Sequence, residues 1–173
     1  MSSNYRDRLL DDLEADVKGL VELCSSLVKI PSDNPPGDTS KLASFIQGYL
    51  ESLGVAVETY EPVEGVVNVV SSIGEGNPHL ILNGHLDQFP GDVGGEWSRS
   101  PYSGEVSGGE LHGRGSGDMK GGLASLLHCF SKLSALSLPG KVTFTGTSDE
   151  ETGADGAPSG SSTTWKASAE TRS

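Results

Sequence analysis

The sequence predicts an α/β protein: a three-layer α/β/α arrangement with a largely parallel central sheet, incomplete at its C-terminus. Three observations predict it. Apolar residues recur at helical spacing in three stretches, short β-branched or apolar runs fall between them, and loops rich in Gly and Pro separate the two kinds. At 173 residues the chain is long enough for one domain with a buried core.

Leu9, Leu10, Leu13, Val17, Leu20, Val21, Cys24, Leu27 and Val28 recur every three or four positions, which predicts one long amphipathic helix ending before Pro31. The following segment, Ser32-Asp33-Asn34-Pro35-Pro36-Gly37-Asp38, is a loop, because two adjacent prolines forbid a helix. Leu42, Phe45, Ile46, Tyr49, Leu50 and Leu53 form a second helical stripe, closed by Gly54 just past its end. Residues 55–59 alternate and residues 66–73 are β-branched, so both read as strands. Leu80-Ile81-Leu82, after the turn at Asn77-Pro78, reads as a short strand of the buried kind. Residues 88–117 are a Gly-, Ser- and Pro-rich loop with a small hairpin at Gly108-Gly109. A third helix is expected from Met119 to Leu133 and a further strand from Lys141 to Thr145. Residues 157–173 hold no Leu, Ile, Val, Met or Phe, which predicts a disordered tail after a partial domain of residues 1–156.

Composition narrows the function. Twelve basic residues against 24 acidic ones give a net charge of −12, which argues against binding a nucleic-acid backbone. No stretch approaches the ~18 apolar residues of a membrane span. The charged N-terminus lacks the apolar core of a secretory signal, and two cysteines, Cys24 and Cys129, are too few for a disulfide framework. A cytoplasmic protein acting on a small molecule is the expectation.

Three loops carry groups that ligate metals. His85-Leu86-Asp87 follows the strand at 80–82; residues two apart in extended chain point the same way, so imidazole and carboxylate can converge. Asp87 is then a partner that fixes the ring's tautomer, or a group that holds catalytic geometry beside the metals. Asp118 closes the run Gly113-Arg114-Gly115-Ser116-Gly117, whose spacing matches neither a dinucleotide fingerprint nor a P-loop. It suits a carboxylate that bridges two cations, or a helix N-cap. Ser148-Asp149-Glu150-Glu151 follows the strand at 141–145; one glutamate can ligate a metal while its neighbour takes a proton from bound water, unless the pair is only a solvated acidic turn. All three loops fall where strand C-termini and helix N-termini meet, the usual ligand crevice of an α/β sheet. His79, His112 and His128 lack a carboxylate at useful spacing and read as structural or surface residues.

Asn83-Gly84-His85-Leu86-Asp87, Gly113-Arg114-Gly115 through Asp118-Met119-Lys120-Gly121-Gly122, and Asp149-Glu150-Glu151-Thr152-Gly153 resemble, in order, the co-catalytic zinc metallopeptidases. That family includes acetylornithine deacetylase, succinyl-diaminopimelate desuccinylase, aminoacylase and carboxypeptidase G. Pro31-Ser32 to Pro35 and Trp97 to Pro101 resemble it too. The resemblance implies a zinc-exopeptidase-like fold and hydrolysis of an amide bond in a peptide or N-acyl amino acid. It implies two divalent metal ions, zinc first and cobalt or manganese as alternatives. His85 would ligate one ion, Glu151 the other, and Asp118 both; Asp87 would orient the His85 side, and Glu150 would be general base and then acid. Family members are longer homodimers whose downstream half supplies one more ligand per metal and a lid. The resemblance therefore implies weak metal binding and little turnover by this chain alone, or a non-catalytic remnant or binding module that keeps the fold. A nucleotide-binding α/β protein is the third reading, resting on glycine content alone.

Overall fold

The computed structural model describes residues 3–93 and 96–153. The tail expected at 157–173 lies outside the described residues. Four helices, α1 (Ser3–Ala15), α2 (Val17–Val28), α3 (Ser40–Ser52) and α4 (Gly121–Ser134), accompany six strands. The strands are β1 (Val57–Val63), β2 (Val66–Gly74), β3 (His79–His85), β4 (Glu105–Ser107), β5 (Glu110–His112) and β6 (Lys141–Thr147). The main sheet runs β1-β2-β6-β3, and β4 with β5 forms the expected hairpin.

The α/β class stands, but the sheet is mixed rather than largely parallel. β1 with β2 and β2 with β6 are antiparallel, and β3 with β6 is parallel. The reason is connection length. Only Glu64 and Gly65 separate β1 from β2, Gly65 has φ 83°, and so short a link permits only a hairpin. β3 and β6 are joined by a long crossover containing α4, which makes them parallel.

The expected single helix over residues 9–28 is two helices. At Asp16 the backbone leaves the helical region (φ −118°, ψ 32°), and its carboxylate accepts from the Gly19 amide at 3.2 Å, capping α2. Asp16 also pairs with Lys132, 116 residues away, and its Oδ2 lies 3.8 Å from His128 Nε2. His128 is therefore a buried structural residue between α1 and α4.

The core gathers Leu23, Leu27, Leu42, Ile46, Leu50, Leu127 and Phe130 from the helices with Val69, Val142 and Phe144 from the sheet. The Phe130 and Phe144 rings are 6.1 Å apart and tilted by 56°, a favourable edge-to-face range. Every strand residue in this cluster lies on one face of the sheet, as the register shows. The other face carries Val70 and Ile81 among mostly polar groups: Ser72 and His79 both hydrogen-bond Thr143 at 2.8 Å, and Asn83 donates to Thr145 at 2.7 Å. Helical cover on both faces was expected; among the described residues the core draws its helices from one side. β3 is correspondingly an edge strand, and Leu80 and Ile81 are more than half exposed rather than buried. Cys24 and Cys129 are free and half-buried.

Candidate metal centre

β3 and β6 run parallel and in register, with His85 opposite Thr147, so the segments that follow them leave the sheet side by side. The Leu86 amide donates to the Thr147 carbonyl at 2.7 Å and holds them together. This is the C-terminal rim of the parallel pair, where an α/β sheet opens a crevice. β3 extends to residue 85, so His85 stands on the strand itself rather than in the loop beyond it.

Asp118 reaches the same rim by a different route. Residues Ser116–Lys120 form one wide turn before α4, closed by the Lys120 amide on the Gly115 carbonyl at 2.7 Å and non-helical at Asp118 and Met119, where a regular helix from Met119 was expected. Gly115 starts the turn at φ 75°, and a Cβ there would sit 2.7 Å from Gln88 Oε1, so only glycine fits. Within the turn Asp118 is extended (φ −133°, ψ 102°), which swings its carboxylate away from the helix. It is not an N-cap; its Oδ1 lies 3.0 Å from His85 Nε2.

The imidazole is the hub. His85 is 7% exposed, its Nδ1 is 2.9 Å from the Asp87 backbone carbonyl, and the Asp87 carboxylate lies 3.6 Å from the same nitrogen. A carbonyl can only accept, so Nδ1 carries the proton that engages it, leaving Nε2 to face the carboxylates. Glu150 Oε2 lies 3.9 Å from Nε2, and ligand atoms of His85, Glu150 and Glu151 all fall within 4.8 Å of one another. Glu151 Oε1 also accepts from the Phe89 amide at 3.1 Å. All five residues singled out in the sequence, His85, Asp87, Asp118, Glu150 and Glu151, thus meet at one rim. His79 and His112 stay away from it: His79 bonds Thr143 and His112 bonds Ser107.

The cluster perturbs its own protonation. Asp87, and then Asp118, push the His85 ring up to about 9 despite its burial. Burial works against ionising Asp87, but His85, the Asn34 amide and the backbone N–H of Glu151 hold its carboxyl well below the usual range. Burial, followed by the Asp118 charge, raises Glu151. With no metal bound, three carboxylates and an imidazole share one small space and favour a cation among them. His85, Asp118 and Glu151 offer one imidazole nitrogen and two carboxylates, donors that suit zinc and similar divalent ions, with Glu150 beside them.

Several contributors were not singled out in the sequence. Asn34 donates to both Asp87 and Asp149, from a loop 53 and 115 residues away. Beside the cluster a cavity of about 410 Å³ is lined by Asp118, Glu151, Phe89, Trp97 and Arg114. The Arg114 guanidinium stands 5.0 Å from the Trp97 ring centre and 5.8 Å from that of Phe89, holding the segment after β5 against the one after β3. Under the Asp118 turn, Lys120 is fully buried and donates to the Ile30 carbonyl at 2.6 Å.

Lys120 supplies a pH-dependent test. Burial pulls its ammonium down to about 7 from 10.5. Below pH 7 the group is protonated folded and unfolded, and its burial cost is complete. Between 7 and 10.5 the unfolded chain binds more protons, so stability rises with pH; above 10.5 the cost is gone. The span corresponds to at most about 5 kcal/mol. Relative to the parent, Lys120→Met in chelator is therefore expected to be most favoured near pH 7. Urea unfolding at pH 7 and pH 10 should show that advantage shrinking, even if the lost bond to Ile30 costs about 1–3 kcal/mol at both.

Residues 81–168 match the model of peptidase family M20/M25/M40. The chain is 34% identical over 160 residues to N-formyl-4-amino-5-aminomethyl-2-methylpyrimidine deformylase of Halalkalibacterium halodurans, covering 88% of this chain and 38% of that protein. It is 36% identical over 138 residues to succinyl-diaminopimelate desuccinylase of a Methylobacterium species, covering 75% of this chain and 34% of that one. In three dimensions it is similar to an M20 family metallo-carboxypeptidase of Sulfolobus solfataricus. The TM-score is 0.67 at 26% identity, over 80% of this chain and 31% of that chain. The chain thus spans about a third of the length of these relatives. With the His85, Asp118 and Glu151 loops assembled on such a sheet, and the family model matching more than half its length, the chain belongs to peptidase family M20/M25/M40.

Proposed function

We propose that this rim is a two-metal centre for hydrolysing an amide bond in a peptide or N-acyl amino acid. The observation that carries the reading is the convergence of Asp118, Glu150 and Glu151 on the Nε2 side of His85 while Nδ1 is held by the Asp87 carbonyl. In this reading His85 would hold one ion, Glu151 the other, and Asp118 both, while Asp87 holds the ring. Zinc is the first candidate, with cobalt or manganese as alternatives. Such ions, when bound, lower the pKa of a shared water and polarise the carbonyl under attack. Glu150, exposed at the mouth of the cluster, is placed to accept a proton from the attacking water and to return it to the leaving amine. The deformylase and desuccinylase relatives both bear names for removing an acyl group, which supports small acyl groups on nitrogen as the substrate class.

Counted this way each ion has two ligands from this chain, where catalytic zinc ordinarily has three from protein. The 173-residue chain is accordingly expected to take up zinc weakly and turn over little or nothing. This favours, for the chain alone, the second reading of a module that keeps the fold without the chemistry. Calorimetric zinc titration and a deacylase assay separate the two, run on this chain and on one extended to its relatives' length. Activity and tight uptake appearing on extension support the enzyme reading; a chelator-sensitive centre that never hydrolyses an acyl amide would leave the module. Among the described residues no helix is long and apolar enough to cross a membrane. Action in the cytoplasm completes the proposal.

A further inference from the structure

Asn34 sits in the loop after α2 with 4% of its surface exposed. Its side-chain amide donates at 2.9 Å to Asp87 Oδ2 and at 3.0 Å to Asp149 Oδ1, with Thr152 Oγ1 at 3.4 Å. Those two carboxylates belong to different halves of the cluster. Asp87 stands behind His85 and also accepts the Glu151 amide at 2.9 Å. Asp149 directly precedes the two glutamates, holds a left-handed backbone (φ 75°), and accepts from Thr152 Oγ1 at 2.6 Å. Both carboxylates are buried, so bringing them together needs donors between them.

A primary amide is suited to this bridge. It carries two N–H donors on one nitrogen, whereas a hydroxyl has one and a carboxylate none. The amide is also held rigidly. The Asn34 backbone N–H donates to Gln88 at 2.8 Å, the Gln88 amide returns to Ser32 at 3.0 Å, and Ser32 Oγ donates to Leu86 at 2.8 Å. Gln88 Nε2 in turn donates to Asp33 at 2.8 Å. The segment carrying Asn34 is thereby stitched to the one just past His85.

We propose that Asn34 is a positioning residue that sets the distance between the His85 side and the Glu150–Glu151 side of the centre. This rests on the two-metal reading for its consequence, but the bridge itself exists without metal. The test compares the parent chain with Asn34→Ala and with Asn34→Asp, which keeps the shape and removes both donors. In chelator, hydrogen exchange should accelerate at residues 148–152, the Glu151 amide above all, while β6 keeps its protection. With cobalt(II), affinity should fall several-fold, short of the about 10–100-fold cost of losing a partner bonded to a metal ligand itself, because Asn34 acts through Asp87 and Asp149. The cobalt absorption bands, recorded well below the melting temperature, should change shape as well. Exchange that is unchanged, or raised evenly over the chain, with parental cobalt bands would overturn the proposal. If the parent takes up no cobalt, the two-metal reading fails and exchange alone decides: loosening confined to 148–152 sustains the bridge, and any other pattern removes it.

Discussion

Glu150→Gln, in a chain extended to the length of its relatives, is expected to lower kcat by about 10²–10⁴-fold while leaving metal content unchanged. The amide has the shape of the carboxylate but no basic oxygen to accept a proton. Glu150 is suited to the proton role by its place. It stands 3.9 Å from the imidazole and is largely exposed at the mouth of the cluster, and among the described residues its carboxylate takes no hydrogen bond from the scaffold, unlike Glu151, which accepts the Phe89 amide. A group that must move a proton between water and a leaving amine needs that freedom. Steady-state kinetics with metal analysis on the same samples checks the prediction; normal turnover in the glutamine variant would remove Glu150 from the reaction.

His85→Ala is expected to have the opposite signature, with metal lost first and activity lost with it. The loss in affinity should exceed the about 100-fold upper cost of removing an outer hydrogen-bond partner, because the ligand atom itself is gone. Among the described residues the ring is the basic group that pairs with Asp118 and Glu150, at 3.0 and 3.9 Å. Without it those carboxylates face one another, and the metal-free cluster can no longer hold a proton on an imidazole raised to about 9. Equilibrium dialysis against zinc gives the affinity, and circular dichroism checks that the fold survives. Glu151→Gln should behave as His85→Ala does, whereas Glu150→Gln should not. That contrast separates ligand from base within two adjacent residues.

The parts of the fold and site legible in the sequence are those governed by local pattern. The stripe ending at Gly54, the hairpin at Gly108-Gly109 and the strands feeding His85 and Ser148 each announce themselves through spacing or turn chemistry. The hairpin of β1 and β2 is missed, because the alternation at 55–59 stops short of the turn at Glu64-Gly65, and that turn decides the mixed sheet. Other features depend on partners far along the chain. Asp16 interrupts the first helix because its carboxylate serves Gly19, Lys132 and the neighbourhood of His128 together, and only packing of α4 on α1 supplies the last two. The extended backbone at Asp118 is likewise invisible to periodicity, since the turn around it depends on Gly115 meeting Gln88. Asn34 looks like one more polar residue of a proline-rich loop until Asp87 and Asp149 are brought to it.

The most direct test of the centre is an anomalous-scattering map at the zinc edge from crystals of the chain soaked in zinc. The expected result is two peaks about 3.5–4 Å apart at the rim shared by β3 and β6. One should lie within about 2.1 Å of His85 Nε2, the other against Glu151, with Asp118 touching both. Peaks elsewhere on the surface, with His85 Nε2 still bonded to Asp118 at 3.0 Å, would contradict it.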